Sequence, residues 1–288
     1  MRCGPGPVGI LAVLLGILQL SREAPYRVQE MERLSPLTAT AMERRLLTLA
    51  NKERETRSLP PFRLSDSLAG LARRHSSDMA SRNALSHLSS SGQSFQERLV
   101  EAGFFFAEVG ENVARSESYV ADFIHRPLMD SSEHRKNILN ISFDTVGIGV
   151  VEREDGSYYI TQDFIRAIEA LPKETARAWI HKRIQGWRSA RSLPPLIFQE
   201  EAGRLAQTFA EARAAEVEMP PVSNLPRELD VFIVITPSLE RLDERSLHFD
   251  DPNYDEGGVG VVFGRLKDYP GGAYCIAVAL FPRTNSSG

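Results

Sequence analysis

The stretch VGIGVVEREDGSYYITQDF, residues 146–164, decides how the rest of the chain is read. Apolar residues recur there at period two on either side of Asp155–Gly156, a dipeptide that favours tight turns, so two strands joined as a hairpin are expected. Upstream the period changes. Met42, Leu46, Leu49 and Ala50 share one helical face, and RSLPPF at residues 57–62 ends that helix, because consecutive prolines cannot continue it. A second helix opens at the N-cap Ser65 and buries Leu68, Leu71, Ala72, His75 and Met79. Ser94 and Glu97 form a capping box for a third helix, which Gly103 closes. A fourth is expected from around Ser118, broken or kinked before Pro127, and a short one over Glu133–Leu139. Helices packed on a small antiparallel sheet make an α+β architecture.

Past Leu171 the pattern starts again. RSLPPL at 191–196 repeats RSLPPF with an offset of 134, which carries Leu46 onto Ile180, Ala50 onto Ile184 and Leu71 onto Leu205. GVGVV at 258–262 repeats GIGVV at 147–151 with an offset of only 111, so the second copy is shorter by 23 residues (134 less 111). The shortening falls where the first copy holds His87 and GEN (Gly110–Asn112), and Arg245 stands at the His134 position. The expected organisation is a signal peptide over 1–24, a first domain over 40–168 and a degenerate second copy over 172–284 that lacks the site residues.

The chain has 288 residues and a net charge of −4 with both signs interspersed, so no basic field exists to attract nucleic acid. Val8–Leu20 is a short apolar run behind a single arginine, the layout of a secretory signal and too short for a comfortable membrane span. No good small-x-small cleavage site follows, so an uncleaved N-terminal anchor is the alternative, and the only expected contact with a membrane. Despite the expected export to an oxidising compartment no intramolecular disulfide can form, because the two cysteines are Cys3 and Cys275 and loss of the leader leaves one thiol. Cys275 falls in the last strand as a buried, inert thiol.

The residues that look like chemistry are His87 in SHLSSSG, Glu111 in GEN and His134 in SSEHRKNIL. Together with HSSDMA at 75–80 and the hairpin, these motifs stand in the order seen in the CAP (SCP-like) family, and Met42–Phe164 resembles that family in its bacterial, disulfide-free form. The resemblance implies an α/β/α sandwich whose central cavity is lined by His87, Glu111, His134 and a second acidic residue, the last replaced here by Ser131. Two imidazoles and one carboxylate have the composition of a three-ligand zinc site with an open position, although no HExxH spacing supports it. They equally suit ligand contact, or a network that braces loops. Ser131 and Ser132 near His134 lack the G-x-S-x-G elbow of a serine nucleophile.

Other residues read as scaffold. His75 is a packing position, since the repeat places Phe209 there, and His125, His181 and His248 are surface or structural. Asn112 and Ser94 are read as caps, Arg98 and Arg135 as partners of carboxylates near the cleft, and Gly110 as a point of close backbone approach. Among Phe104–Phe106 at least one ring belongs to the core, and an exposed one would sit at the cleft rim. The resulting expectation is an exported, non-catalytic binding protein for a small apolar or cell-envelope ligand, its cavity lined by His87, Glu111, Ser131 and His134. The alternatives are a metal-dependent hydrolase using His87, Glu111 and His134 with zinc-bound water, and a structural envelope or interaction module.

Overall fold

The computed structural model describes residues 38–221, 228–249 and 251–283. The N-terminal apolar run, and the reading of export that rests on it, lie outside the described residues. Helix α1 (Ala39–Glu55) leads through a two-residue strand β1 (Arg63–Leu64) to α2 (Asp66–Arg82), α3 (Phe95–Glu101) and β2 (Phe106–Ser116). Helices α4 (Ala121–Asp130) and α5 (Ser132–Ile138) precede the hairpin β3 (Thr145–Glu152) and β4 (Tyr158–Ala167). The sheet order is β1-β3-β4-β2, antiparallel except that β1 joins β3 in parallel. Thus the sheet is mixed at one edge, because β1 enters after the proline turn running in the same direction as β3.

The caps at Ser65 and Ser94 form as the sequence implies, the latter as a full capping box. Two glycines set how closely a helix can ride on the sheet. A Cβ on Gly147 would lie 2.3 Å from the Leu68 carbonyl carbon and one on Gly149 2.2 Å from the Arg73 amide nitrogen, so α2 presses backbone to backbone on β3. The opposite face of the sheet buries Val146, Ile148, Val150, Ile160 and Phe164 against Met42, Leu46 and Ala50 of α1 and Ile124 and Leu128 of α4. Helix α4 starts three residues later than Ser118 and runs through Pro127 to Asp130. Phe123, one turn before the proline, is 68% exposed, so the carbonyl that loses its donor faces water.

Arg54, at the end of α1, is 0% exposed and meets no carboxylate among the described residues. Its guanidinium donates to the carbonyls of Pro60 (2.7 Å), Ile138 (3.0 Å), Asn140 (2.8 Å) and Phe143 (3.2 Å), tying α1 to the loop between α5 and β3. It also lies 3.8 Å over the Phe62 ring.

The fold then repeats. Helix α6 (Lys173–Ala190), strand β5 (Ile197–Phe198), α7 (Glu200–Ala214), β6 (Asp230–Thr236), β7 (Tyr254–Leu266) and β8 (Tyr269–Pro282) form a second sheet of order β5-β7-β8-β6 with the same pairing senses. Arg188 repeats Arg54, donating to Pro194 (2.7 Å), Phe249 (3.0 Å) and Tyr254 (2.9 Å). Gly258 and Gly260 repeat Gly147 and Gly149 against α7. One pair is inverted between copies. In the first, Glu43 of α1 accepts Arg73 of α2 (2.6 Å) and the Val150 amide (3.0 Å); in the second, Gln207 of α7 accepts Arg177 of α6 (3.1 Å) and the Val261 amide (3.1 Å).

Two expectations need correction. The second copy does keep a counterpart of the GEN strand: β6 pairs with β8 as β2 pairs with β4, which places Val231, opposite Ala279, where Glu111 stands opposite Asp163. Sequence comparison missed it because nothing polar survives there to align. The phenylalanine run, for its part, faces the other copy and no cleft rim. Phe106 is core, while Phe105 meets Phe263 edge-on at 4.9 Å beneath Arg265, whose guanidinium donates to the Phe104 carbonyl at 3.0 Å. Cys275 is buried in β8, and burial pushes its thiol pKa up.

Replacing Arg54 by Ala strands the buried Ile138 and Phe143 carbonyls and leaves a cavity, so we expect a loss of about 3–5 kcal/mol in urea unfolding. His125 is 6% exposed rather than on the surface, has no partner at either ring nitrogen, and is held below the ordinary histidine range by burial. Below about pH 6.5 the unfolded chain takes up a proton that the folded one resists, so stability falls with pH. His125→Leu should flatten part of that loss between about pH 6.5 and pH 5, as read from urea midpoints.

Candidate functional site

The GEN motif lies mid-strand in β2, the edge of the sheet, where alternation sends neighbouring side chains to opposite faces. Glu111 goes to the α2 side and Asn112 to the α5 side. Glu111 is 4% exposed at the side chain and accepts from His87 Nδ1 at 2.8 Å through Oε1. Its Oε2 takes the Arg98 guanidinium and stands 3.8 Å from His75 Nε2. Directly across the sheet from Glu111 is Asp163, 0% exposed, with neither carboxyl oxygen matched to a donor. Burial first, then the charge of Glu111, holds the Asp163 carboxyl well above the usual carboxylate range, so it keeps its proton and can donate to Glu111.

His87 sits in the loop after α2, its side chain 62% exposed. The loop is clamped from both flanks. Arg98 donates to the His87 carbonyl (3.0 Å), Arg82 to the Leu88 carbonyl (2.9 Å), and Asp78 accepts the Ser90 amide (3.0 Å). Because Glu111 takes Nδ1–H, the other ring nitrogen, Nε2, is the bare acceptor. Leu85 and Leu88 on either side of it are 52% and 50% exposed.

On the other face Asn112 is no cap: it is 1% exposed and donates to the His134 carbonyl and to Gln162, both at 3.1 Å. Asn137 of α5 answers by donating to Asn112 Oδ1 (2.8 Å) and to the Glu111 carbonyl (3.2 Å). These amides pin α5 to the sheet edge. Gly110 permits the approach, since a Cβ there would meet Phe143 at 2.8 Å and Asn137 at 2.9 Å. Ser131 caps α5, its Oγ 3.5 Å from the His134 amide nitrogen. The His134 imidazole is partly buried, and burial followed by the neighbouring His87 holds its pKa down. The site therefore wraps around the edge strand, with His87 and Glu111 from one face and His134 from the other.

Arg135 binds the Met129 carbonyl (2.7 Å), not a carboxylate, because the turn between α4 and α5 brings that oxygen to it. His75 is buried as expected, but it is more than packing: its ring stands beside Glu111 and bonds Ser86 at 2.9 Å. His181 stacks on Phe198 and His248 on Phe232, both away from the site. Asp163, Asn137 and Gln162 escaped the sequence reading. The signal for Asp163 was present, as the one carboxylate in the second strand of the hairpin. Among the described residues no three or more His, Cys, Asp or Glu side chains are grouped to hold a metal, and both Glu111 oxygens serve His87 and Arg98.

Residues 47–164 match the model of the CAP family, described as the cysteine-rich secretory protein family. The chain is 34% identical over 131 residues to the uncharacterized protein YkwD of Bacillus subtilis (strain 168), covering 46% of this chain and 49% of that one. It is 33% identical over 132 residues to the uncharacterized membrane protein YlbC of the same organism, covering 44% and 35%. The chain thus spans half or less of the length of these relatives. A crystal structure of an extracellular protein containing a SCP domain from Bacillus anthracis str. Ames is 30% identical, with a TM-score of 0.41 over 46% of this chain and 45% of that one. No helix among the described residues is long and apolar enough to cross a membrane.

Since Asp163 is neutral when folded and ionised when unfolded above about pH 4, its burial costs stability as the pH rises. Asp163→Asn should match the natural protein at acid pH and exceed it in stability at pH 7, measured by urea unfolding. Glu111→Ala should instead cost about 3–5 kcal/mol, because it leaves Arg98 buried and unpaired.

Proposed function

We propose that the CAP domain matched over residues 47–164 makes this chain an exported, non-catalytic binding protein that holds a small apolar or cell-envelope ligand at His87, Glu111, Ser131 and His134. The observation that carries the reading is a solvent-facing imidazole, oriented by a buried carboxylate and flanked by two half-exposed leucines, Leu85 and Leu88. Apolar surface beside one fixed polar group suits a ligand with a hydrocarbon body and a single hydrogen-bonding head. The Val8–Leu20 run supports export. Domain limits of 40–168 and 172–284, the latter without site residues, agree with the repeat in the strand order.

A hydrolytic reading is less well supported. It needs a carboxylate free to act on water, whereas Glu111 is spent on His87 and Arg98, Ser131 stands at the second acidic position, and Asp163 is fully buried. Titration of the purified chain with a fluorescent long-chain fatty acid tests the proposal. Saturable binding is expected, weakened at least about tenfold in the Leu85→Asp, Leu88→Asp double variant. Affinity untouched by that change would rule out the leucine-flanked site. Turnover of an ester probe that disappears in His134→Ala would favour the hydrolase.

A further inference from the structure

Strand β6 is the outer edge of the second sheet, and it lacks what usually keeps such an edge solitary. Gln207 binds both the amide and the carbonyl of Val261 (3.1 and 3.3 Å), and the Gly257 carbonyl goes to Gln199 beyond β5, so the odd-numbered residues of β7 turn their backbone groups away from β8. The register then turns the even-numbered residues of β8 toward β6, where Val278 stands opposite Phe232 and Ile276 opposite Val234. Val231, Ile233 and Ile235 therefore direct their N–H and C=O groups outward, and among the described residues none of these groups meets a partner. All five residues from Val231 to Ile235 are apolar and half-buried, with Val231 and Ile233 on the α7 side and Phe232 and Val234 on the α6 side. The matching edge of the first copy is closed instead: Asn137 of α5 takes the Glu111 carbonyl, and Glu108, Glu111 and Arg115 carry charge along the strand.

We propose that β6 pairs with the β6 of a second copy of this chain, antiparallel about a two-fold axis at Ile233, so that two four-stranded sheets become one. That register sets Ile233 opposite itself and Val231 opposite the partner's Ile235, and it uses every outward amide and carbonyl of both strands. Pro237 is the next residue of the same parity, has no N–H to give, and ends the ladder. Charge selects this register too. Asp230 falls opposite Thr236 and Glu228 opposite Ser238, so no like charges meet, whereas an axis at Val231 would press Asp230 against Phe232. The strand is also regular enough to take a neighbour: its seven residues pair with β8 without a register shift, while β2 is irregular between Phe106 and Glu108. The surface belongs to the second copy and is independent of the ligand reading of the first.

Sedimentation velocity of the purified full chain, at concentrations up to about 100 μM, tests it, and a dimer is expected. Ile233→Pro removes one outward N–H and no bond to β8, and should weaken dimerisation at least about tenfold. Two double variants read the register. Val231→Lys with Ile235→Lys sets lysine opposite lysine and should leave a monomer, while Val231→Lys with Ile235→Glu sets lysine opposite glutamate and should restore the dimer, more fully at low salt than at high. If Ile233→Pro fails to fold by thermal melt, the two double variants decide. A natural chain that stays monomeric throughout, undiminished association in a folded Ile233→Pro chain, or a lysine–glutamate variant that associates no better than the lysine–lysine one would overturn the proposal.

Discussion

A buried guanidinium holds each half of this molecule together. Among the described residues Arg54 meets no acid, and it spreads its charge over four backbone carbonyls from two stretches of chain, Pro60 and residues 138–143. Such an arrangement is costly to desolvate and costlier to break, since every lost bond leaves an oxygen in the dark. It fixes the end of α5 relative to α1, and so determines where the strand-edge site receives its second imidazole. Arg188 does the same for the second copy through the matching carbonyls. Both copies keep this anchor, whereas only one keeps the site, so the anchor belongs to the fold and not to its chemistry.

The site depends on β2 being an edge strand. Alternation sends Glu111 and Asn112 to opposite faces, and only at an edge can residues from both faces come round to meet. Glu111 gathers His87, Arg98 and His75 on one face, while Asn112 and Asn137 hold α5 on the other. In the second copy Val231 takes the Glu111 register and Ala279 that of Asp163, so the same edge is filled with apolar contacts. That replacement removes a buried acid pair together with its desolvation cost, and leaves an edge held by packing alone.

Much of this was legible in the residues. The hairpin, the Ser94 capping box, the repeated RSLPP turns and the glycines of GIGVV each have a local cause that acts within a few residues. What stayed hidden depends on distant partners. In GEN, Gly110 is the point of close approach that its residue type suggests, whereas Asn112 reads as a cap and instead lies mid-strand and binds α5. Pro127 looks like a helix end, and burial of Ile124 and Leu128 against α1 carries the helix past it. Asp163 reads as one of a run of polar residues, Thr161 to Asp163, until the register sets it against Glu111. Arg54 and Arg188 sit at the same repeat offset as the turns, but nothing local marks an arginine as buried.

The inverted pair at Glu43 and Arg73 separates the two copies as building blocks. In the first copy the acceptor for the strand amide comes from the first helix, and in the second from the second helix. If α6 were to dock in place of α1 during folding, Arg177 would face Arg73, two cations would meet at a half-exposed position, and Val150 would lose its acceptor. A chain that carries the same fold twice risks assembling the halves in the wrong combination. Here the move of the arginine from the second helix to the first, with its acceptor on the other helix, penalises the docking of α6 on the first sheet.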